Sequence, residues 1–547
     1  EGPRLVRTMA TNMYAENAAL MDGAHGFDVV IVCTSTEKLA EYWQQRLEAG
    51  RGSILKQDTV VLAVFEDWPG GAGNALGTLY AWKKAVKAAS DILEMDIAGR
   101  LASGEVSCAI YHTAGKGTRL APLPGSENNN KPGVKLPASL EPSDCSTAIS
   151  ILEAVIKQTG VYASSRKGRL SVFWGDQVFV PTAAVTYTPL HHADILCTLG
   201  PMPSAEEWAA QGLEKYGLIA VNGDGEAAQV EKVDHATATR LLSSLGAVES
   251  VGTSLGSFSV SSQLLQCLME EFQAEIDAKQ GKLDTDPGLW MPMTLSCEAY
   301  VELMGQKGMD AAEATAHHGR MNTMKAKLAG GEASDVKLMG AVDVGKAAYW
   351  WDYGQLRLYL ANNLKLTNPD EDHESGIMRS FFGIPSAPGM PRVDASSTIG
   401  DAVALTGGSC LSHSVIRQSG DIQGSVLAGV KAEHVECQGA ILVNVTAKKV
   451  VVAPGCVLYN VRSTSAEGIV VEEPGQVITN VLMADGDQVR EITMRSRTDL
   501  DGGKKWKEVV EGNEYTFEQI YQMNGDADVK ALEGQSIALH KQVADTL

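Results

Sequence analysis

The chain has 547 residues, a formal net charge of −21 and 44% hydrophobic residues. Its length exceeds what one compact core accommodates, so two or three domains are expected. The net negative charge argues against a general nucleic-acid-binding or anionic-membrane-binding protein, because either function needs a positively charged surface. Nine cysteines without a C-x-x-C pair indicate free thiols in a reducing compartment rather than a disulfide framework or a zinc site.

No apolar run approaches the roughly 18 residues that a membrane span needs. We therefore expect a soluble protein of the cytoplasm, or of a plastid if a transit peptide has been removed. Residues 1–24 are polar and form an N-terminal extension without a clear pattern.

Three apolar runs organise the next part of the chain. Phe27–Cys33 predicts a buried strand, residues 59–65 lead into a glycine-rich loop at 70–77, and residues 107–112 lead into a second such loop at 113–119. Strand, loop and helix in repetition predict a parallel α/β sheet. Ligands of such sheets bind at the C-terminal ends of the strands, where both loops fall. The loop at 70–77 either contacts a ligand through its backbone or makes a tight strand-to-helix connection.

The α/β pattern predicts one α/β domain over residues 25–377, followed by a proline-containing linker over 378–397. Over residues 398–489, short runs of Val, Ile and Leu recur between Gly and small polar residues. This repetition predicts a parallel β-helix, in which each coil buries one apolar ridge; a two-layer sandwich is the alternative. The tail over 490–547 is mixed in composition and acidic, and its sequence predicts no particular structure.

The strongest local motif is Ala-Gly-Lys-Gly-Thr-Arg-Leu-Ala-Pro over residues 114–122, with a Lys-Pro pair at Lys131. Gly115 and Gly117 let the backbone approach a triphosphate and direct N–H groups at it. Arg119 and Lys131 would offset the charge that develops on the phosphoryl oxygens. The motif therefore predicts a phosphate loop.

This motif resembles the G-x-G-T-R and later P-K-P signature of the sugar-1-phosphate nucleotidyltransferases. Asn130 stands where that family has its first proline, and residues 125–130 lengthen the loop, so Lys135 is a second candidate for the role of Lys131. The resemblance implies a Rossmann-like, GT-A-like mixed sheet. It also implies an enzyme that forms an NDP-sugar and pyrophosphate from an NTP and a sugar-1-phosphate.

Three further segments follow in the order of that family: a strand that ends in Gly175-Asp176, a Tyr-Gly pair at Gly217 with Glu231 and Lys232, and a Trp-Asp pair at Asp352. The resemblance implies Mg²⁺ ligands at Asp176 and Asp352. It implies sugar-phosphate binding by Gly217, Glu231 and Lys232. It implies nucleotide binding by Gly71, Gly73, Gly115, Gly117, Thr118 and Gly175, with catalytic roles for Arg119 and Lys131.

The substrates remain open at this stage. The N-terminal third resembles the pyrophosphorylase module of GDP-fucose pyrophosphorylase and of bifunctional fucokinases, which favours GTP and a fucose-like sugar. The complete G-x-G-T-R favours UTP and a glucose-like sugar. Two other functions are considered: a non-catalytic subunit for nucleotide-sugar sensing or assembly, and an acyltransferase built on the β-helix with His413 or His434. A β-helix also suggests a homo-oligomer.

Overall fold

A computed structural model describes most of the chain. The described residues are 13–21, 25–139, 148–329, 336–368, 373–384, 390–485 and 488–547. Most of the predicted N-terminal extension, and residues 385–389 of the predicted linker, lie outside the described residues.

The first half of the chain is an α/β unit built on a mixed sheet. Its strands are β1 (Val29–Thr34), β2 (Val60–Phe65), β3 (Cys108–His112), β4 (Lys135–Ser139), β5 (Ala148–Ser150), β6 (Arg169–Trp174), β7 (Gln177–Val180), β8 (His191–Cys197), β9 (Gly217–Asn222), β10 (Ala227–Glu231), β11 (Val248–Ser261), β12 (Lys337–Asp343) and β13 (Tyr349–Asp352). The predicted parallel strands are confirmed, because β2, β1, β3 and β6 lie side by side in parallel.

Strand β11 turns this parallel group into a mixed sheet. It pairs antiparallel with β6, β8 and β9, while β12 continues parallel to β8 and β10 closes a hairpin with β9. The C-terminal ends of β1, β2, β3, β6, β8 and β12 therefore share one edge of the sheet. Two smaller pairs, β4 with β5 and β7 with β13, lie beside it.

Helices cover both faces of the mixed sheet. They are α1 (Glu37–Ala49), α2 (Gly73–Leu93), α3 (Ile97–Ala102), α4 (Leu123–Ser126), α5 (Ile151–Thr159), α6 (Ala205–Gln211), α7 (His235–Leu241), α8 (Ser262–Glu271), α9 (Gln273–Ala278), α10 (Met291–Thr294), α11 (Cys297–Gln306), α12 (Ala311–Ala329), α13 (Leu356–Leu364) and α14 (His373–Phe381). Helix α1 begins after Thr36, whose side chain accepts the Leu39 N–H, and Ser150 caps α5 with Glu153 in a capping box. Such caps satisfy N–H groups that the first turn leaves unpaired.

The C-terminal half contains a second sheet. Its strands are β14 (Arg392–Val393), β15 (Thr398–Ile399), β16 (Ala402–Thr406), β17 (Cys410–Ser412), β18 (Val415–Gln423), β19 (Val426–Ala428), β20 (Lys431–Gln438), β21 (Ile441–Ala447), β22 (Lys449–Val452), β23 (Val457–Ser463), β24 (Ile469–Val471), β25 (Gln476–Asp485) and β26 (Gln488–Arg497). All pairings before β25 are parallel, and only the β25–β26 hairpin is antiparallel.

The chain winds past three parallel columns in this half. The first column runs through β17, β19, β21, β23 and β25, and the second through β16, β18, β20, β22 and β24. A third column joins β15, the starts of β18 and β20, and the ends of β21 and β23. Each turn of the chain therefore adds one strand to each column. Apolar side chains enclosed between the columns, such as Leu427, Leu442 and Leu458, form a separate core cluster.

The outer face of the first column joins the core of the α/β unit. Ile441, Val443 and Tyr459 alternate along their strands with the enclosed leucines, as the two-residue period of a strand requires. They pack in the same cluster as residues of the first half, among them Leu136 and Tyr359. The two halves consequently share one continuous apolar core.

The tail contains two helices, α15 (Phe517–Met523) and α16 (Val529–Ala544). Both return to the first half: α15 contacts α4, and α16 contacts α1. Among the residues that the structure describes, no helix combines the length and the apolar character that crossing a membrane requires. The eight cysteines within these residues are all free.

Candidate active site

The predicted phosphate loop leaves the C-terminal end of β3. The Thr113 N–H and hydroxyl both donate to the Cys33 carbonyl at the end of β1, at 3.0 and 2.8 Å. Gly117 has φ +64°, a left-handed conformation that favours glycine. A Cβ there would lie 3.0 Å from the Lys131 Cγ. The loop therefore turns sharply against the stem of Lys131.

Lys131 joins the phosphate loop to the first predicted carboxylate. Its Nζ lies 2.6 Å from Asp176 Oδ2, and both side chains are partly buried. Lys135, the second candidate of the sequence, points away: its Nζ lies 3.2 Å from Glu127 Oε2 and 3.2 Å from Glu533 Oε1. Of the two lysines, Lys131 alone contacts Asp176 within the described residues.

A small antiparallel pair of strands brings the two aspartates together. Asp176 directly precedes β7, and Asp352 ends β13, where it lies opposite Gln177. A Cβ added at Gly354 would lie 3.0 Å from Asp352 Oδ1 and 3.5 Å from Asp176 Oδ2, so both carboxylates face this glycine. The Asn362 side chain donates to the Asp352 carbonyl at 2.8 Å and fixes this end of β13.

The electrostatics of the cluster follow from its opposed charges. Burial raises the pKa of Asp352, and the Asp176 carboxylate raises it further, while the Gly354 N–H, Arg119 and Lys131 lower it. Arg119, Lys131, Asp176 and Asp352 therefore interact at one place. No group of three or more His, Cys, Asp or Glu residues able to hold a metal ion occurs in the described part of the chain.

The other predicted nucleotide-binding residues occupy different positions around the loop. Gly115 opens to solvent, and Thr118 begins a short 3₁₀ turn that carries Arg119. Gly175 lets the end of β6 approach the end of β3, because a Cβ there would lie 3.2 Å from the His112 carbonyl oxygen. Gly175 is thus a packing residue of this sheet edge.

The first glycine-rich loop, with Gly71 and Gly73, is held by residues 283–286. The Ala75 N–H donates to the Leu283 carbonyl at 2.9 Å, and the Thr285 N–H donates to Asn74 Oδ1 at 2.6 Å. A Cβ at Gly73 would meet the Leu283 carbonyl oxygen. Gly73 serves a tight connection, whereas a Cβ at Gly71 would make only an ordinary contact with Glu66 Oε1 at 3.9 Å.

The predicted sugar-phosphate residues lie in the β9–β10 hairpin. Gly217 lies opposite Glu231, and Glu231 forms ion pairs with Lys232 at 2.7 Å and Lys307 at 2.8 Å. Lys232 is mostly exposed. Two of the three residues, Gly217 and Glu231, therefore face each other, and the Lys232 ammonium points toward Glu231.

Two residues outside the predicted set of site residues border Gly217. A Cβ at Gly217 would lie 3.4 Å from Asp286 Oδ2 and 3.5 Å from Gln229 Nε2. Gln229 is fully buried, and neither polar atom of its side chain completes a hydrogen bond within the described structure. Burial raises the pKa of Asp286, although Gln229 lowers it. Gln229 and Asp286 therefore form a polar pair beside Gly217.

A series of contacts connects Gln229 and Asp286 with the other two aspartates, Asp176 and Asp352. Gly217 faces the Ser254 side chain, the Gly256 N–H donates to Ser254 Oγ at 3.1 Å, and Gly256 lies against the indole N–H of Trp174. Trp174 is two residues before Asp176. The hairpin and the phosphate loop thus both lie at the C-terminal edge of the sheet.

Comparison with known proteins does not assign this site: no family model matches the chain, and no curated protein matches it. The histidines of the second sheet lie elsewhere. His413 is buried beside Asp394, and His434 bonds Ser419 and Glu436 on the outer surface of a column.

Proposed function

We propose that the chain is a sugar-1-phosphate nucleotidyltransferase that forms an NDP-sugar and pyrophosphate. The observation that carries the proposal is the convergence of Arg119, Lys131, Asp176 and Asp352 beside a glycine-rich loop. On this proposal the first half is a GT-A-like, Rossmann-like domain and the second half is a parallel β-helix. The mixed sheet and the parallel columns support these two assignments.

In the proposed reaction, an oxygen of the sugar phosphate attacks the α-phosphorus of the triphosphate. The bond from that phosphorus to the bridging oxygen of the β-phosphate breaks, and pyrophosphate leaves in line. No general base is needed, because the attacking phosphate is already ionised. The protein contributes positioning and charge neutralisation, which dominate phosphoryl transfer.

The named residues divide this work. Backbone N–H groups of the loop and the Arg119 and Lys131 cations bind the triphosphate. Lys131 pairs with Asp176, so its ammonium is already held at the position where phosphate charge would arrive. Asp176 and Asp352 provide two carboxylates, which suits Mg²⁺ completed by phosphate oxygens. Bound Mg²⁺ would neutralise and orient the reacting oxygens.

The sugar is proposed to lie against Gly217. Gln229 offers a fully buried amide and Asp286 a partly buried carboxylate beside Gly217, which suits a ligand with adjacent hydroxyl groups. A site built to bond hydroxyls rejects analogues that lack them, because its polar groups are then left unpaired. This feature supports a sugar over an apolar acceptor, and it leaves UTP and GTP as alternative donors.

The test is pyrophosphate release with Mg²⁺ across UTP, GTP, ATP, CTP and dTTP against a panel of sugar-1-phosphates. Release with one pair is expected and identifies the base and the sugar together. Nucleotide binding by folded protein without release from any pair would contradict the proposal. It would favour the non-catalytic sensing or assembly subunit instead.

A further inference from the structure

The C-terminal tail contacts the phosphate loop directly. Gly502 is buried, and a Cβ there would overlap the carbonyl oxygen of Thr118. A Cβ at Gly503 would lie 3.3 Å from Thr118 Oγ1 and 3.7 Å from Arg119 Cγ. The backbone of the tail thus lies against the two residues that end the G-x-G-T-R motif.

The turn that makes this contact has a defined shape. Asp501 Oδ1 accepts the N–H groups of Gly503 at 2.9 Å and Lys504 at 3.3 Å, and its carbonyl accepts the Lys505 N–H at 3.1 Å. A side chain that caps its own turn in this way restricts the backbone locally. Gly502 and Gly503 are therefore presented to Thr118 on a fixed turn rather than on a loose strand.

The insert that lengthens the phosphate loop, residues 125–130, is bound by the same tail. The Asn524 side chain donates to the Gly125 carbonyl at 3.0 Å, and the Asn129 side chain donates to the Tyr521 carbonyl at 2.7 Å. Ala121 packs in an apolar cluster whose other members come from β25, β26 and α15. Both ends of the segment from Thr118 to the insert are held by the tail.

We infer that the C-terminal tail positions the phosphate loop within the same chain, with Gly502 and Gly503 as the positioning residues. The inference rests on the proposed function. Arg119 follows Thr118 directly, so a shift of the Thr118 carbonyl moves the cation that interacts with Asp352. The tail holds the loop in the conformation that receives the triphosphate, and neither glycine contacts the reacting atoms.

The experiment compares Gly502→Ala with Gly534→Ala in the full chain. Both changes add one methyl group to the tail, but Gly534 lies in α16 with nothing within 4 Å of the added Cβ. Two quantities are measured: amide hydrogen exchange over residues 113–121 without ligands, and KM for the triphosphate and for the sugar phosphate separately. Asn524→Ala, which removes the bond to the insert, is the second variant if Gly502→Ala does not fold.

Gly502→Ala is expected to speed exchange over 113–121 and to raise KM for the triphosphate about tenfold or more, since small misplacements of binding groups are costly. KM for the sugar phosphate and both properties of Gly534→Ala should stay unchanged. A merely structural role would lower the active fraction without separating the two KM values. Unchanged exchange, or faster exchange with an unchanged triphosphate KM, would overturn the inference.

The proposed function and the positioning role fail separately in this design. If the wild-type chain turns over no substrate pair, the proposed function is wrong. Hydrogen exchange still tests the contact in that case, with UTP and GTP binding in place of KM. Faster exchange and weaker nucleotide binding in Gly502→Ala would then still support the positioning role.

Discussion

At the scale of single residues, two lysines four positions apart have different environments. Lys131 is partly exposed and contacts Asp176. Lys135 is buried between Glu127 and Glu533. Burial would lower the pKa of Lys135, but the charge of Glu127, with Tyr42 and Glu533, raises it instead. The first lysine is available to a ligand, whereas the second neutralises carboxylates inside the protein.

Substitution of each lysine by methionine separates these roles. Lys131→Met should lose turnover by a factor on the order of 10²–10³, as removal of a charge-stabilising donor does, with unchanged stability. Lys135→Met should destabilise the fold by about 3 kcal/mol, because it leaves buried carboxylates without their cation. Pyrophosphate release and urea unfolding measure the two effects. Equal losses of stability in the two variants would contradict the different roles given to the two lysines.

The environment of Asp352 predicts a pH dependence. Burial raises its pKa, so the charged form, which is proposed to bind Mg²⁺, is lost at a higher pH than for an ordinary aspartate. Activity should fall as the pH drops through this raised value. Protons and Mg²⁺ compete for the carboxylate, so higher Mg²⁺ should move the acidic limb of the kcat/KM profile to lower pH. A limb that does not respond to Mg²⁺ would argue against Asp352 as a ligand.

The sequence could identify only part of this candidate site. Gly117, Lys131 and Asp176 belong to short motifs, so their spacing was visible, and the structure brings Asp352 to them through the β7–β13 pair. Gln229 and Asp286 belong to no motif, and their proximity depends on the fold of a segment between them in sequence. The order of residues along the chain does not reveal the contact between Gln229 and Asp286.

At the scale of secondary-structure elements, periodicity determined what could be predicted. The three apolar runs became β1, β2 and β3 because a buried parallel strand is apolar on both faces. The tail suggested no structure because α15 and α16 bury only a few apolar residues each, among them Phe517, Ile520 and Leu532. Their position depends on polar contacts with the first half, such as that of Tyr42 with Glu533.

Glu533 makes the docking of α16 sensitive to acid. Burial opposes its ionisation, but Lys135 and Arg46 lower its pKa below the ordinary value. The stability from this carboxylate is therefore fully present above the ordinary glutamate pKa of about 4.3, and it declines as the pH falls through the lower folded value. Acid should loosen α16 from α1 within that window.

The test compares Glu533→Gln with Gln535→Ala, an exposed position on the same helix. Glu533→Gln should cost about 2 kcal/mol at neutral pH, since it weakens bonds to charged groups, and should flatten the stability profile below the ordinary glutamate pKa. Gln535→Ala should leave the profile unchanged. Urea unfolding at several pH values measures both. An equally steep profile in Glu533→Gln would show that another group is responsible.

At the scale of the whole molecule, the apolar core crosses the boundary between the two sheets. Alternate residues of the first column face opposite ways: Leu442 is enclosed between the columns, and Ile441 packs in the cluster of the α/β unit. The tail adds further contacts between the halves through Glu533 and Gly502. Neither half therefore buries all of its apolar surface without the other.

This shared core predicts one cooperative unfolding transition, although chains of this length often unfold in steps. Ile441→Ala and Leu442→Ala should each cost about 2–5 kcal/mol, and both should shift the same calorimetric transition. Val470→Ala, at a half-exposed position of the second column, should change stability by less than about 0.5 kcal/mol. Calorimetry decides the question by comparing the calorimetric and van't Hoff enthalpies. Two separate transitions, with Leu442→Ala moving only one of them, would show that the second sheet folds as an independent unit, since Leu442 contributes to its enclosed core alone.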